Sequence, residues 1–182
     1  MANWVMHPAE VEVFDANARH LDISIQDLMQ AAGQALAAET IRIVEASEAP
    51  EHREIWILCG SGNNGGDGFA AALSLHESGY TVRLIASHVT QKGEVAESFR
   101  NACREASLPI DVWPMVPTEL KPRAIVDALL GAGAGGSTPR GDVSDLLEWA
   151  RPYSTNVHVI ACDIPTGFGT NAVLSATSTV TF

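Results

Sequence analysis

Apolar and polar positions follow two different periods along most of the chain. Short apolar runs typical of buried strands, such as EIWILC and VHVIACD, alternate with segments in which apolar residues recur every three or four positions, as in helices. This alternation favours a parallel sheet with helices on both faces. The predicted strands are 54–59, 81–87, 124–130 and 157–163, with a short apolar piece at 109–113 and a final run at 178–182.

Helical spacing predicts five helices between and before these strands. Two of them precede the first strand, within residues 7–46, and the second is expected to begin at Ser24 because Asp27 completes a capping-box pattern. The others are predicted at 66–79, 93–106 and 143–152. The proline-containing stretch VWPMVPTELKP is expected to be a connection. Without an internal repeat or a linker, the whole chain 1–182 is expected to form one domain.

The string CGSGNNGGDGF joins the first predicted strand to a helix. Gly60, Gly62 and Gly65 give the G-x-G-x-x-G spacing of a dinucleotide-binding turn. Such a site also expects an acidic residue about 20 positions further on, to bind the adenosine ribose. The corresponding stretch offers Arg83 and His88 and no carboxylate. An ordinary NAD dehydrogenase is therefore disfavoured, whereas an NADP-like ligand or a different mode of docking stays open.

Polar side chains follow the carboxyl ends of three predicted strands. Asn63, Asn64 and Asp67 lie in the loop after the first strand, Asp127 lies within AIVDALL, and Asp163 ends VIACD. Ligands of open parallel sheets bind outside these strand ends, so the three stretches are expected to converge on one pocket. Their oxygens suit a hard cation or a ribose. The alternatives are turn formation and helix capping, or a buried aspartate bonded to backbone amides.

A second glycine-rich stretch, GAGAGGSTPRGD, follows the strand that contains Asp127. Its backbone N–H groups carry little side-chain obstruction, which is typical of an anion-binding nest. A flexible loop without a ligand is the alternative. Arg140 is then either a phosphate contact or a solvated charge.

The charge of the chain narrows the classes of partner. Eleven basic and twenty-two acidic residues give a net charge of −11, which repels nucleic acids and anionic membranes, so we expect neither as a partner. Cys59, Cys103 and Cys162 lack metal-type spacing and are expected to be buried free thiols. No basic leader or long apolar stretch occurs, so a cytoplasmic protein that binds a small molecule is expected.

The strings GSGNNGGDG, VDALLGAG and ACDIPTG, with LMQAAGQALA upstream, resemble the YjeF N-terminal domain, the NAD(P)H-hydrate epimerase family, from about residue 8 to the end. The resemblance implies a three-layer α/β/α Rossmann-like sandwich with a mainly parallel sheet. It also implies an epimerase that interconverts the R and S forms of NADHX and NADPHX, which are nicotinamide cofactors hydrated at C6. Such an enzyme acts beside an NAD(P)HX dehydratase, separate or fused, and is expected to be a homodimer.

The resemblance also implies roles for individual residues. Asp163 or Asp127 is the hypothesised catalytic group, which moves a proton while C6 is planar. Asn64, Asp127 and Thr166 would bind one potassium ion. The residues expected to contact the substrate are Asn63, Asn64, Gly65, Gly66, Asp67, Gly131, Ala132, Gly133, Ala134, Gly135, Gly136, Ser137 and Asp163.

The chain departs from the family pattern in three ways. Thr166 stands where the family usually has serine, and it keeps the hydroxyl. The stretch 167–182 is shorter than usual and lacks acidic residues, and the chain is expected to be C-terminally short relative to the family. Two other functions therefore stay open: a non-catalytic nucleotide-binding or scaffold module of the same fold, and an NADP-dependent oxidoreductase.

Overall fold

A computed structural model describes residues 22–48, 54–116, 121–134 and 137–182. The described helices are α1 (Ile25–Glu45), α2 (Asn63–Glu77), α3 (Glu94–Glu105) and α4 (Asp142–Ser154). The described strands are β1 (Glu54–Cys59), β2 (Val82–Ala86), β3 (Ile110–Val112), β4 (Pro122–Ala128), β5 (His158–Cys162) and β6 (Ser178–Val180). The helix predicted before Ser24 lies outside the described residues.

The six strands form one parallel sheet in the order β3-β2-β1-β4-β5-β6. The chain moves outward from β1 to β3, then returns to the other side of β1 with β4. The strand order therefore reverses between β1 and β4, and this topological switch point leaves a crevice outside their carboxyl ends. From Ile55, which pairs with Ala124, the two strands keep one register up to their last residues, Cys59 opposite Ala128.

Each face of the sheet buries its own apolar cluster. Helices α1, α2 and α3 cover one face, where Leu36, Phe69 and Phe99 pack on the sheet. Helix α4 covers the other face, where Leu146 and Leu147 pack against the strands. The predicted three-layer α/β/α sandwich is confirmed. Two faces buried by helices explain why the strands read as continuous apolar runs.

Helix α1 begins where the capping pattern predicts. The Ser24 hydroxyl accepts a hydrogen bond from Asp27 N–H at 3.1 Å, and the Asp27 carboxylate accepts one from Ser24 N–H at 2.9 Å. Gly33 then lets α1 approach α2 closely, because a Cβ at this position would overlap Ala70. The far end of α1 is tied to the edge strand β6 by a hydrogen bond of 2.6 Å from Ser178 Oγ to Glu39 Oε1.

The three cysteines are buried free thiols, as predicted. Cys59 ends β1 and Cys162 ends β5, directly below the crevice, and Cys103 lies in α3. Burial raises the pKa of the Cys103 thiol to about 12, so this thiol stays protonated at neutral pH. Among the described helices, none is long and apolar enough to cross a membrane.

Candidate active site

The glycine turn after β1 is fixed by close contacts of the backbone. Gly60 N–H donates to the carbonyl of Ala128 at 3.0 Å, which joins the ends of β1 and β4. A Cβ on Gly60 would overlap the carbonyl of Leu129, and one on Gly65 would overlap the carbonyl of Gly60. Glycine is therefore required here for packing, and the turn places the N-terminus of α2 at the switch point.

Asn63 and Asn64 are not in a loop, as the sequence predicted, but form the first turn of α2. The helix begins at Asn63, three residues before the predicted start, because the buried glycines that follow pack against the sheet and α1. Its N-cap, Gly62, has no side chain to cap the first N–H groups. Uncapped amides and the helix dipole make this end of α2 suitable for a bound anion.

The Asn64 side chain lies partly buried in the crevice. Its amide nitrogen is buried and has no hydrogen-bond partner among the described residues. A Cβ on Gly131 would lie 3.1 Å from Asn64 Oδ1 and 2.5 Å from Asp163 Oδ2. Gly131 therefore allows Asn64 and Asp163, predicted from separate parts of the chain, to approach each other.

The Asp163 carboxylate stands at the entrance to the turn after β5. Its backbone has a left-handed φ of +67°, a conformation that aspartate tolerates better than most residues. Its N–H donates to the carbonyl of Val180 at 2.7 Å, and Oδ2 accepts a bond of 2.6 Å from Ala132 N–H. The residue is half-buried. Asp163 is thus held by two hydrogen bonds and stays partly accessible to solvent.

Asp127 has a different environment, because it is completely buried. Its carboxylate accepts hydrogen bonds from Thr166 Oγ1 at 2.7 Å, Thr166 N–H at 2.8 Å and Leu129 N–H at 3.3 Å. Burial raises the pKa of Asp127, and these hydrogen bonds oppose that rise. Asp127 therefore has the contacts of a buried aspartate that is hydrogen-bonded to backbone amides, which was one of the two interpretations of the sequence.

Thr166 links the two connections that frame the crevice. Besides its bonds to Asp127, its hydroxyl accepts a hydrogen bond of 3.0 Å from Leu130 N–H. The next residue, Gly167, has a φ of +76° and packs against Pro139, so the β5–β6 connection contacts the end of the glycine-rich loop. Leu130 and Pro139 were not predicted, because their contacts join positions about 30 residues apart and leave no local pattern.

The carboxylates of Asp67, Asp163 and Asp127 all lie close enough to the buried Cys162 thiol, at the end of β5, to act on it electrostatically. Burial raises the pKa of the Cys162 thiol most, and the charges of Asp67, Asp163 and Asp127 raise it further, in that order. Asp67 lies half-buried in the first half of α2. The structure therefore brings together the acids that the sequence placed after three different strands.

Among the described residues of the second glycine-rich stretch, those at its beginning contact this cluster. Gly131 and Ala132 contact Asp163, and Ala132–Ala134 form a short 3₁₀ turn in which Gly133 is exposed. Ser137 is exposed and donates to the carbonyl of Ala134 at 2.8 Å. Gly135 and Gly136 lie outside the described residues. Gly65 and Gly66 are buried in α2, where Gly66 packs against Met29 rather than facing the crevice.

The predicted potassium ligands Asn64, Asp127 and Thr166 are connected by hydrogen bonds and contacts that involve the backbone of residues 130–131. Asp127 and Thr166 are directly bonded, and Leu130, which donates to Thr166, precedes the Gly131 that adjoins Asn64. Carboxylate, hydroxyl, carbonyl and amide oxygens suit a hard cation. The amide nitrogen of Asn64 leaves one polar group there without a hydrogen-bond partner in the described part of the chain. No cluster of three or more His, Cys, Asp and Glu side chains in the described part of the chain is placed to bind a metal ion.

The fold and this polar crevice define a Rossmann-like α/β domain whose site lies at the switch point of its sheet. A family model described as YjeF-related protein N-terminus matches residues 25–182, and the chain belongs to this family. The solved structure of yeast YNL200c has the same fold, with a TM-score of 0.76, 21% sequence identity, and coverage of 91% of this chain and 72% of the yeast chain.

Two curated relatives illustrate the names found in the family. The chain is 35% identical over 170 residues to the bifunctional NAD(P)H-hydrate repair enzyme Nnr of Coxiella burnetii, with 88% of this chain and 32% of the relative covered. It is 34% identical over 145 residues to the NAD(P)H-hydrate epimerase of Caenorhabditis elegans, with 79% of this chain and 57% of the relative covered. The chain thus spans about a third of the bifunctional relative and just over half of the nematode one.

Proposed function

We propose that this chain is an NAD(P)H-hydrate epimerase, an isomerase that repairs damaged nicotinamide cofactors by interconverting the R and S forms of NADHX and NADPHX. Membership of the family and the names of its relatives support this assignment. The structural observation that best supports the assignment is the Asp163 carboxylate, which accepts a hydrogen bond of 2.6 Å from Ala132 N–H and lies beside Asn64 and Gly131 in a polar crevice.

The pyrophosphate of the substrate would bind where backbone N–H groups are available. These groups are the uncapped first turn of α2 and the turn that begins at Gly131, both at the switch point. The hydrated nicotinamide ring would then lie over Asp163 and Asn64. Gly131 leaves the space for the ring, because the crevice would otherwise be narrowed by a side chain there.

Epimerisation at C6 requires that this carbon become planar for a moment. In the ring-opening route, a base takes the proton of the C6 hydroxyl, C6=O forms as the C6–N1 bond breaks, and N1 takes up a proton. Closure from the other face of the aldehyde reverses these changes and inverts C6. In the alternative route, an acid protonates the hydroxyl, which leaves as water, and water returns to the other face of C6. A positioned carboxylate contributes about 10²–10⁴-fold to such proton transfers.

Of the two predicted catalytic aspartates, Asp163 is better suited to this proton transfer. Asp127 is completely buried and its oxygens already accept three hydrogen bonds. We propose that Asp127 instead positions Thr166 and, with Asn64 and Thr166, binds one potassium ion. The ion would supply fixed positive charge that balances the acids around the crevice.

The partners of the reaction are further parts of the proposal. An NAD(P)HX dehydratase would consume the S form, either as a separate protein or fused to this domain, as the bifunctional names of several relatives suggest. We also propose that the chain assembles as a homodimer in the cytoplasm. Light scattering on the purified protein, which gives twice the mass of the 19.3 kDa chain for a dimer, tests the assembly.

The proposed activity is tested by adding purified chain to isolated R-NADPHX and following the appearance of the S form by chromatography. Asp163→Asn should slow epimerisation at least about 100-fold, because the general acid–base contribution is lost. Asp145→Asn, an exposed acid in α4, serves as the matched control and should retain full activity. If the wild-type chain binds NADPHX without accelerating epimerisation, the chain is a binding module and the proposed activity is wrong.

A further inference from the structure

A groove beside the candidate active site is lined by the β2–α3 connection and the first turns of α3. It has a volume of about 490 Å³, which is within the usual range for a bound small molecule. The lining residues are Thr90, Gln91, Lys92, Gly93, Glu94, Glu97, Ser98 and Asn101. A second groove, of about 440 Å³ and lined in part by Lys121 and Pro122, lies at the other end of the strands, where β4 begins.

The first groove adjoins the glycine turn directly. Lys92 N–H donates to the carbonyl of Ser61 at 2.8 Å, and a Cβ on Gly93 would lie 3.8 Å from Asn63 Oδ1. A ligand whose anionic centre lies at the N-terminus of α2 can therefore extend in two directions. One direction leads to Asp163, and the other leads along the end of β2 into this groove.

Sheet order assigns the two ends of a dinucleotide to these directions. With the order β3-β2-β1-β4-β5-β6, the adenosine ribose of a dinucleotide lies at the carboxyl end of β2 when its pyrophosphate lies at the glycine turn. Arg83, one of the two cationic candidates in this part of the sequence, is not available there. Its guanidinium is paired with Glu54 at 2.6 Å and Asp111 at 2.8 Å within the sheet.

The side chains of the groove match an adenine nucleotide in two respects. Both amide atoms of Gln91 are buried and have no partner among the described residues. A carboxamide offers one donor and one acceptor, the pattern that complements N7 and the N6 amino group of adenine. The Lys92 side chain is exposed and forms no salt bridge with any described residue.

Two carboxylates also line the groove and bear on its charge. Glu97 is already engaged, because it accepts a hydrogen bond from Gln91 N–H at 2.7 Å and pairs with Arg104 at 3.4 Å. Glu94 is exposed at the first position of α3. Among the residues that line the groove, the ammonium group of Lys92 is therefore the cation available to an added phosphate, and Glu94 opposes it.

We propose that this groove binds the adenosine end of the substrate and that Lys92 recognises the 2′-phosphate that distinguishes NADPHX from NADHX. The inference rests on the proposed function for the identity of the substrate, since the groove itself indicates only an adenine nucleotide with a 2′-phosphate. Gln91 binds the adenine of both substrates, whereas Lys92 acts on the phosphorylated one. Lys92 is thus a specificity-determining residue outside the reacting centre.

Calorimetric titration of the full chain with 2′,5′-ADP and with 5′-AMP tests the binding site without any turnover. Lys92→Met should weaken binding of 2′,5′-ADP about tenfold or more, the loss expected for one charge-assisted hydrogen bond, and should change binding of 5′-AMP less than about twofold. Glu94→Gln should strengthen binding of 2′,5′-ADP. Gln91→Ala should weaken both nucleotides to a similar extent. Lys121→Met, which removes a cation from the amino-terminal end of β4, should leave the binding of both nucleotides unchanged.

Equal losses for both nucleotides in Lys92→Met, or no loss for either, would overturn the inference. The kcat/KM ratio for R-NADPHX over R-NADHX should fall by the same factor as the ratio of affinities. If the wild-type chain shows no epimerase activity but Lys92→Met loses its preference for 2′,5′-ADP, the proposed function is wrong and the groove assignment stands. Activity with an unchanged substrate ratio in Lys92→Met overturns the groove assignment alone.

Discussion

The buried carboxylate of Asp127 gives the sharpest test of how this crevice is held together. In Asp127→Ala, the N–H groups of Thr166 and Leu129 both lose their acceptor inside the protein. A buried donor left without a partner costs about 1–3 kcal/mol, and the longer Leu129 bond belongs at the lower end of that range. Release of the cost of burying the carboxylate offsets a part of the loss. The two donors together account for about 2–4 kcal/mol, so with this offset we expect the free energy of unfolding to fall by about 2–3 kcal/mol.

Asp127→Asn should be tolerated much better than Asp127→Ala. The amide oxygen can still accept from Thr166 N–H, and the amide nitrogen can donate to Thr166 Oγ1, whose proton can turn to the carbonyl of Leu130 at 3.3 Å. Because the amide nitrogen takes the place of Oδ1, Leu129 N–H loses its acceptor, and the expected loss is about 1 kcal/mol. Urea unfolding followed by the fluorescence of the buried Trp56 measures both variants, in tetramethylammonium buffer so that potassium does not contribute. Equal losses for alanine and asparagine would refute this reasoning.

The same pair of proteins gives a pH dependence with a defined sign. The pKa of Asp127 lies above its ordinary value of 3.8 in the folded protein, so the folded state binds more protons than the unfolded chain in the window above that value. The free energy of unfolding of the wild type should therefore fall, relative to Asp127→Asn, as pH rises through that window. A difference that stays constant from pH 3 to pH 8 would contradict a raised pKa.

Substitutions at three further positions test separate contacts. In Gly131→Ala, the added Cβ would lie 2.5 Å from Asp163 Oδ2 and displace that carboxylate, so epimerase activity should fall at least about tenfold with little loss of stability. Full activity in the chromatographic assay would show that Asp163 need not keep its position. Thr166→Ser should lower the free energy of unfolding by less than about 1.5 kcal/mol and Thr166→Val by more, as measured by urea unfolding, since valine lacks the hydroxyl. The pKa of Glu39 is lowered to about 2, mainly by hydrogen bonds from Arg42 and then Ser178. The ionised carboxylate should therefore stabilise the folded protein by less than about 1 kcal/mol, and this contribution should disappear as pH falls from 4.5 towards 2. Acid unfolding of Glu39→Gln that parallels that of the wild type would contradict this.

The sheet and the location of the site could be predicted from the sequence because both depend on local patterns. Apolar runs of the right length marked the principal strands, and the polar residues at their carboxyl ends converge as expected for a parallel sheet. The boundaries were less accurate at β4, which begins at Pro122 rather than at Ala124, because the charged Arg123 interrupts the apolar run. The short β3 was recognised only as an apolar piece.

The first turn of α2 shows where local propensity misleads. Asn63, Asn64 and the glycines that follow are poor helix formers, so the stretch was predicted to be a loop up to residue 65. In the structure, Gly65 and Gly68 are buried against the backbone turn and the ends of β1 and β4, and this packing stabilises a helix that begins at Asn63. The tertiary contacts that decide the matter come from parts of the chain that the local pattern does not contain.

The division of roles between the two aspartates likewise depends on partners distant in sequence. Asp127 meets Thr166, 39 residues further on, and three hydrogen bonds surround a carboxylate that solvent does not reach. Asp163 stays half-buried, and from the described part of the chain only Oδ2 receives a bond, from Ala132. A proton can be exchanged with a bound ring only by a group that the ring can touch. The same residue type is therefore suited to organise the crevice at one strand end and to react in it at the next.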